Sequence, residues 1–235
     1  MTQHLQDTES LDKALEVQLR LLDLWNDSGY RVGGWKVGLT AGEKRSSFEP
    51  EYRPFGLVLA ERILDSGSVV DLTVIRSCHF EPELVLILDA PLKGEVTAEE
   101  ARAAVGHVAA AFEINEGRYV ARATPLPIRL ASGLNNWGMV VGDRIAPDDR
   151  DLRETEITLR KSGGPTETVR FESGAFDDPY VSLARLSRRL HRFGRSLNPG
   201  DCILTGAFAV RAPVPGDEWT ATFEGIGDVQ ITFAS

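Results

Sequence analysis

The chain has 235 residues, of which 42% are hydrophobic, 26% charged and 8% aromatic, a composition that excludes a disordered or fibrous protein and can supply a sizeable core. Its formal net charge of -9 opposes a phosphate-binding surface and argues against nucleic acid as a partner. No run approaches the roughly 18 unbroken apolar residues of a membrane helix. The polar stretch 1–10 has no basic region followed by an apolar core, so a cytoplasmic protein without a secretory signal is expected. Cys78 and Cys202 have no redox or zinc spacing and are expected as buried, reduced thiols.

Leu11, Leu15, Leu19 and Leu22 recur at helical spacing, which predicts a helix over 10–28 capped by Ser10 and stopped by Gly29. The glycine-bounded run 33–40 reads as a strand with one cation, Lys36, inside it. Short strands are expected over 55–64 and 69–75, joined by the turn Ser66-Gly67-Ser68. Residues 80–88, rich in Leu, Val and Ile, form a strong strand candidate. Thr97 and Glu100 make a capping box for a helix over 97–111, whose alanine-rich middle favours that state. A proline-bearing loop follows 120. Strands are predicted over 138–141, 156–160 and 168–172, the last two joined at Ser162-Gly163-Gly164-Pro165. A basic amphipathic helix is expected over 179–193, a strand over 202–209 and two more over 219–233. Its arginines, Arg185, Arg188, Arg189, Arg192 and Arg195, read as a solvated face or as inter-subunit ion pairs. Strands and helices do not alternate regularly, so an α+β class fits better than a doubly wound nucleotide fold. Residues 1–70 are expected as an N-terminal subdomain with a soft boundary, and 71–235 as the catalytic domain.

The most informative chemistry lies at Glu81-Pro82-Glu83, which opens an otherwise apolar strand. Residues i and i+2 share a strand face, so both carboxylates project together, with His79 on the same side. Two like charges there are costly unless a cation neutralises them, and a hard divalent ion does so. The competing reading is a solvent-facing strand end with two solvated acids. Glu113, in Phe112-Glu113-Ile114, is a third acid able to complete such a site. Lys36 either snorkels or binds a carboxylate or an enolate. Ile203-Leu204-Thr205-Gly206-Ala207 reads as a strand ending in a hydroxyl and a glycine.

Taken in order, these segments resemble the 2-keto-4-pentenoate hydratase and 4-oxalocrotonate decarboxylase group of the fumarylacetoacetate hydrolase superfamily. The segment 34–40, GWKVGLT, resembles its GYKxGLT, and 81–86, EPELVL, its E-x-E-I-x-F strand. Phe112-Glu113-Ile114 with Arg118 resembles LEI-x-DSR, and 199–207 resembles AGD-x-ILSGA. Pro215-Gly216-Asp217 and Gly225-Ile226-Gly227-Asp228-Val229 match its PGD and GLG-x-V tail. The resemblance spans nearly the whole chain.

It implies a mixed, strongly twisted β fold around Mg²⁺ or Mn²⁺, with Glu81, Glu83 and Glu113 as metal ligands. Lys36 becomes the group beside the substrate, Thr205 stands where the family has a serine, and Arg118 matches its arginine. The implied substrate is a small 2-oxo or 2-hydroxydienoic acid, its 2-oxo oxygen and carboxylate chelated by a metal that stabilises the developing enolate. Hydratase, decarboxylase and C–C hydrolase chemistry all run through that enolate, and the group implies a homo-oligomer. A non-catalytic subunit that stabilises a partner enzyme is the remaining alternative. The sequence departs from the pattern in three places. Arg53-Pro54-Phe55-Gly56 replaces P-D-F-G and removes an aspartate. Glu116-Gly117-Arg118 replaces D-S-R, and 131–137 replaces the segment around D-N-A-S-S.

Overall fold

The computed structural model describes residues 8–41, 45, 49–117, 124–170 and 174–235. The first helix, α1 (Thr8–Asp27), buries the expected leucine stripe, Leu11, Leu15, Leu19 and Leu22. Its start at Thr8 puts Ser10 inside the helix rather than at its cap. The chain then forms β1 (Val32–Val37), β2 (Phe55–Leu59), β3 (Ile63–Asp65) and β4 (Ser68–Asp71). Next come β5 (His79–Leu88), α2 (Ala98–Ala104), β6 (Val105–Asn115), α3 (Leu126–Ala131) and β7 (Asn136–Val141). The remainder is β8 (Ile157–Lys161), β9 (Thr166–Val169), α4 (Pro179–Arg192), β10 (Cys202–Leu204), β11 (Glu218–Phe223) and β12 (Gly227–Ala234).

Seven strands pair in the order β2-β1-β10-β5-β6-β7-β3, and five in the order β4-β12-β11-β8-β9. The α+β expectation holds. β1 to β3, from the segment before residue 70, lie in the same sheet as β5 to β7, and one apolar core includes residues from both segments. The ends of the larger sheet, β2 and β3, are joined by the single 3-10 turn Ala60–Arg62, and β2 packs against β7, so the sheet curls toward closure.

Strand alternation divides the larger sheet into two faces. On β5, Phe80, Leu84, Leu86 and Leu88 join the main core, while Val85 and Ile87 join a second cluster with Val58, Ala109, Ala111, Met139 and Leu204. The main core contains a ring cluster in which Phe80 meets Phe112, Phe233 and Trp219 at centroid distances of 5.3, 5.2 and 5.2 Å. The second cluster lies on the inner face of the curled sheet, and Glu81, Glu83 and Glu113 extend that face toward one end. Gly34 lies on it too. A Cβ there would stand 2.1 Å from the Cys202 carbonyl oxygen, so only glycine lets β1 and β10 pair this closely.

The expected helix over 97–111 is half right. Its capping box forms, Thr97 Oγ1 accepting from the Glu100 amide at 3.1 Å and Glu100 Oε2 from the Thr97 amide at 2.7 Å. The helix stops at Ala104, and the alanines that suggested its continuation lie in β6. Ala109, Ala110 and Ala111 are 0–1% exposed between packed layers, where fit and burial override intrinsic helix preference. The loop expected after 120 contains α3, which carries Pro127 in its first turn, where a missing amide hydrogen costs nothing. The strand expected over 202–209 ends at Leu204, because the following backbone bonds elsewhere, as described below. The end of the strand predicted over 168–172 lies outside the described residues. The arginines of α4 and beyond pair within the chain: Arg189 and Arg192 with Asp12, Arg195 with Asp23, and Arg185 and Arg188 with Glu51. Arg189 is buried in its pair, whereas Arg192 keeps about half of its side chain in solvent, with 52% exposed. No helix among the described residues is long and apolar enough to cross a membrane.

Candidate functional site

β5 and β6 pair with Glu81 directly opposite Glu113 and Glu83 opposite Ala111. Glu83 is therefore the diagonal neighbour of Glu113, within side-chain reach on the same face. The small side chain of Ala111 leaves room for this. One carboxylate oxygen from each of Glu81, Glu83 and Glu113 lies within 4.8 Å of the others. Glu83 and Glu113 are only 3% and 2% exposed, so the reading as two solvated acids at a strand end is overturned.

Lys36 reaches this cluster from β1, where it pairs with Leu204 on one side and Gly56 on the other. Its Nζ donates to Glu113 Oε1 at 2.5 Å and to Asn115 Oδ1 at 3.1 Å. Asn136 Nδ2 donates to the same Glu113 oxygen at 2.7 Å. Burial lowers the affinity of Lys36 for its proton, but the charges of Glu113, Glu81 and Glu83 and the Glu113 hydrogen bond outweigh it, leaving its pKa above the ordinary value. Burial pushes the Glu83 carboxyl well above the usual carboxylate range. Glu113 and Glu81 add to that shift, and Lys36 and the Gly206 amide oppose it.

The Gly206 amide donates to Glu83 Oε2 at 2.8 Å. Gly206 has a φ of +131°, and a Cβ there would stand 1.9 Å from Thr40 Oγ1, so glycine is required. Thr205, at the family's serine position, turns its hydroxyl to the backbone. Its hydroxyl donates to the Leu84 carbonyl at 3.1 Å, and its own carbonyl accepts from Thr40 Oγ1 at 2.8 Å. It fixes the junction of β10 and β5 that aims Gly206, and it does not line the cavity. Arg118 lies outside the described residues. Arg53, at the site of the family's P-D-F-G motif, is buried and donates from Nε to Asp177 Oδ2 at 2.7 Å, away from the carboxylate cluster.

The cluster opens into a cavity of about 600 Å³ whose wall includes Lys36, His79, Glu116 and Arg129 beside apolar Leu39, Leu134 and Phe208. Among the described residues, four non-glycine positions have positive φ, and three of them, Leu39, Leu134 and Asn135, line this cavity. Each such conformation costs about 1–3 kcal/mol and persists where the surroundings enforce it, commonly at functional sites. Glu116 and Asn136 entered the sequence reading only as departures from the family pattern, and Asn115 and Arg129 are site residues that it did not single out. Nothing in one sequence distinguishes them, and α3, which carries Arg129, was not expected.

With a cation bound, three carboxylates and one ammonium would together offer two negative charges, the complement of a divalent ion. The all-oxygen donor set fits a hard ion such as Mg²⁺ or Mn²⁺ and does not suit a soft one.

The family model for the fumarylacetoacetate hydrolase C-terminal domain matches residues 42–234. The chain belongs to the fumarylacetoacetate hydrolase family. Within it, the chain is similar to a 4-oxalocrotonate decarboxylase from Pseudomonas putida, at 28% identity over 94% of this chain and 84% of that protein. It is also similar to a 2-keto-4-pentenoate hydratase from Burkholderia vietnamiensis, at 28% identity over 90% of this chain and 81% of that protein. Among solved structures, 4-oxalocrotonate decarboxylase from Pseudomonas putida in complex with magnesium and adipate superposes with a TM-score of 0.86. That match has 24% identity and covers 95% of this chain and 86% of the other. The expected family, its mixed twisted fold and its enzymatic character therefore stand.

Proposed function

We propose that this chain is a divalent-metal-dependent lyase of small 2-oxo or 2-hydroxydienoic acids, and specifically a hydratase of the 2-keto-4-pentenoate type. The observation that carries this reading is a buried ammonium, Lys36 Nζ, bonded to one member of a converging carboxylate triad at a cavity. Glu81, Glu83 and Glu113 would hold the cation. When bound, it supplies a Lewis acid for the oxygens of a 2-oxo acid and neutralises the triad.

The protein's own groups divide the remaining work. Lys36 keeps its proton at neutral pH because of the carboxylates around it. It is therefore a hydrogen-bond donor to a developing enolate oxygen and a proton donor to carbon, and not a free base. Asn136 and Asn115 fix that ammonium and Glu113 relative to each other. Glu116, an acid on the cavity wall outside the triad, is placed to accept a proton from water adding to the conjugated alkene. The apolar wall at Leu39, Leu134 and Phe208 accommodates the hydrocarbon chain and limits water around it.

A decarboxylase is the second reading, favoured by the 28% identical relative of that name. The test is turnover of 2-hydroxypenta-2,4-dienoate, 4-oxalocrotonate and acetylpyruvate with Mg²⁺ and with chelator. Metal-dependent hydration of the dienoate supports the hydratase, and CO₂ release from 4-oxalocrotonate alone selects the decarboxylase. No turnover of any of the three, with no Mg²⁺ binding by calorimetry, overturns both.

A further inference from the structure

β7 carries one residue more than the strand it pairs with. Down the ladder with β6, Glu113 faces Met139 and Ile114 faces Gly138, but Asn115 faces Asn136, so Trp137 is the extra residue of a bulge. Regular alternation from Val141 and Met139, which pack on the inner face, would turn residue 137 inward as well. Trp137 instead packs against the main core, and Asn136 takes the inward position, where its Nδ2 donates to Glu113 Oε1 at 2.7 Å. Arg62 grips the bulge from the connection between β2 and β3. Its guanidinium lies over the Trp137 indole at 5.2 Å, and its Nη1 donates to the Trp137 carbonyl at 3.3 Å.

The donors around the triad are sorted by oxygen. Lys36 from β1 and Asn136 from β7 both donate to Oε1 of Glu113. A carboxylate held by one donor can pivot about it. Held by donors from two strands it is fixed, and Oε2 is the oxygen it has left to offer. Glu83 is arranged alike: the Gly206 amide takes its Oε2 at 2.8 Å and leaves Oε1. Two of the three candidate ligands would then reach a cation through one oxygen each. Such ligation suits the compact octahedral shell of Mg²⁺, whereas Ca²⁺ takes about six to eight oxygens and readily uses both oxygens of a carboxylate.

We propose that the Trp137 bulge makes Asn136 a positioning residue that holds Glu113 to one-oxygen ligation, so that the site selects Mg²⁺ over Ca²⁺. This rests on the divalent-cation reading above and adds which ion is preferred and what enforces the preference. Asn136 acts through Glu113 and takes no part in the proton transfers.

The test titrates Mg²⁺ and Ca²⁺ separately, without substrate, into the chelator-treated protein by calorimetry. The unmodified protein is expected to bind Mg²⁺ more tightly. Asn136→Leu removes the donor at similar volume. It should weaken Mg²⁺ about 10- to 100-fold, the range for losing a partner of a metal ligand, and Ca²⁺ by less than about threefold, because the released carboxylate can then use both oxygens. Asn136→Gln, which keeps an amide donor, should recover part of the preference. Thermal melting confirms that each variant is folded. Arg62→Met, which loosens the bulge without touching a candidate ligand, serves where Asn136→Leu does not fold, and should shift the ratio in the same direction. An unchanged ratio of affinities in the folded variant, or parallel loss of both ions, overturns the role of Asn136. Tighter binding of Ca²⁺ than of Mg²⁺ by the unmodified protein overturns the selectivity and leaves the metal reading standing. Failure of the unmodified protein to bind either ion instead removes the metal reading, and this proposal with it.

Discussion

Replacing Glu83 by glutamine should make the metal-free protein more stable and the metal site much weaker. The triad oxygens lie within 4.8 Å of one another. At an effective dielectric constant of about 20, each pair of unit charges at that separation repels by about 3.5 kcal/mol or more. Glutamine removes two of these repulsions and a buried charge, at the cost of one attraction to Lys36, and its amide oxygen can still accept from the Gly206 amide. Protonation already relieves part of the strain, because burial and the neighbouring acids hold the Glu83 carboxyl well above the usual range. The net gain is therefore about 1–2 kcal/mol, in keeping with neutral replacements of buried charges, and the melting temperature should rise by about 2–8 °C for a chain of this size. The sign of the pH dependence follows. A raised carboxyl pKa favours the fold below the ordinary value and loses that contribution as pH rises through the raised one. Since glutamine does not titrate, its advantage should widen toward alkaline pH. Mg²⁺ affinity should fall at least about 100-fold, since losing even an outer partner of a ligand costs 10- to 100-fold. Melting in chelator and Mg²⁺ titration by calorimetry measure the two effects. A lower melting temperature together with unchanged Mg²⁺ affinity would refute the reasoning and make Glu83 a purely structural anchor for the Gly206 turn.

Lys36→Met should abolish turnover while Mg²⁺ affinity is kept or strengthened, because the competing ammonium is gone; parallel loss of both in calorimetry and kinetics would show that Lys36 organises the carboxylates and nothing more. Asp177→Asn should destabilise the protein by about 3–5 kcal/mol, since it removes the carboxylate charge that pairs with the buried Arg53 and with Arg45. A change in denaturation midpoint equivalent to under 1 kcal/mol would show that water reaches this pair. Burial holds Cys202 up to about 11 and Cys78 up to about 12, so neither thiol of the native protein should react with a disulfide reagent at pH 8, and both should do so in denaturant. Because the native thiols resist ionisation, their contribution to stability persists below the ordinary thiol value and is lost as pH rises through about 11 and 12; rapid labelling of the folded protein would contradict this.

β5 was legible because its alternation is physical. One face must be apolar to meet the phenylalanine cluster, and the interruption of the other face by Glu81 and Glu83 stands out against Val85 and Ile87. Glu113 was a weak candidate from the sequence alone, one acid among many, and gained its role as a ligand from the family resemblance, since its meeting with Glu81 depends on a strand register that no local pattern encodes. The alanines of β6 misled because alanine favours a helix in isolation, whereas between two packed layers its small volume is the property that counts. Thr205 was given a role from its neighbours in the motif, but a hydroxyl can turn to the backbone as readily as to a ligand, and here Leu84 takes it. Arg129 and Asn115 carried no signal, because a lone polar residue acquires meaning only from what the fold sets against it.

The pairing of β5 with β6 ties site and core to a single reading frame. A one-residue slip of β5 would turn Glu81 and Glu83 toward the aromatic packing and Phe80 toward the cavity, and a slip of β6 would do the same to Glu113 and Phe112. An insertion or deletion of one residue between the carboxylates and the aromatic cluster therefore disturbs binding and folding together, unless a bulge like the one between Ile87 and Leu88 absorbs it. Length variation among descendants of this chain should accumulate in its connecting segments and leave the central ladder at constant length.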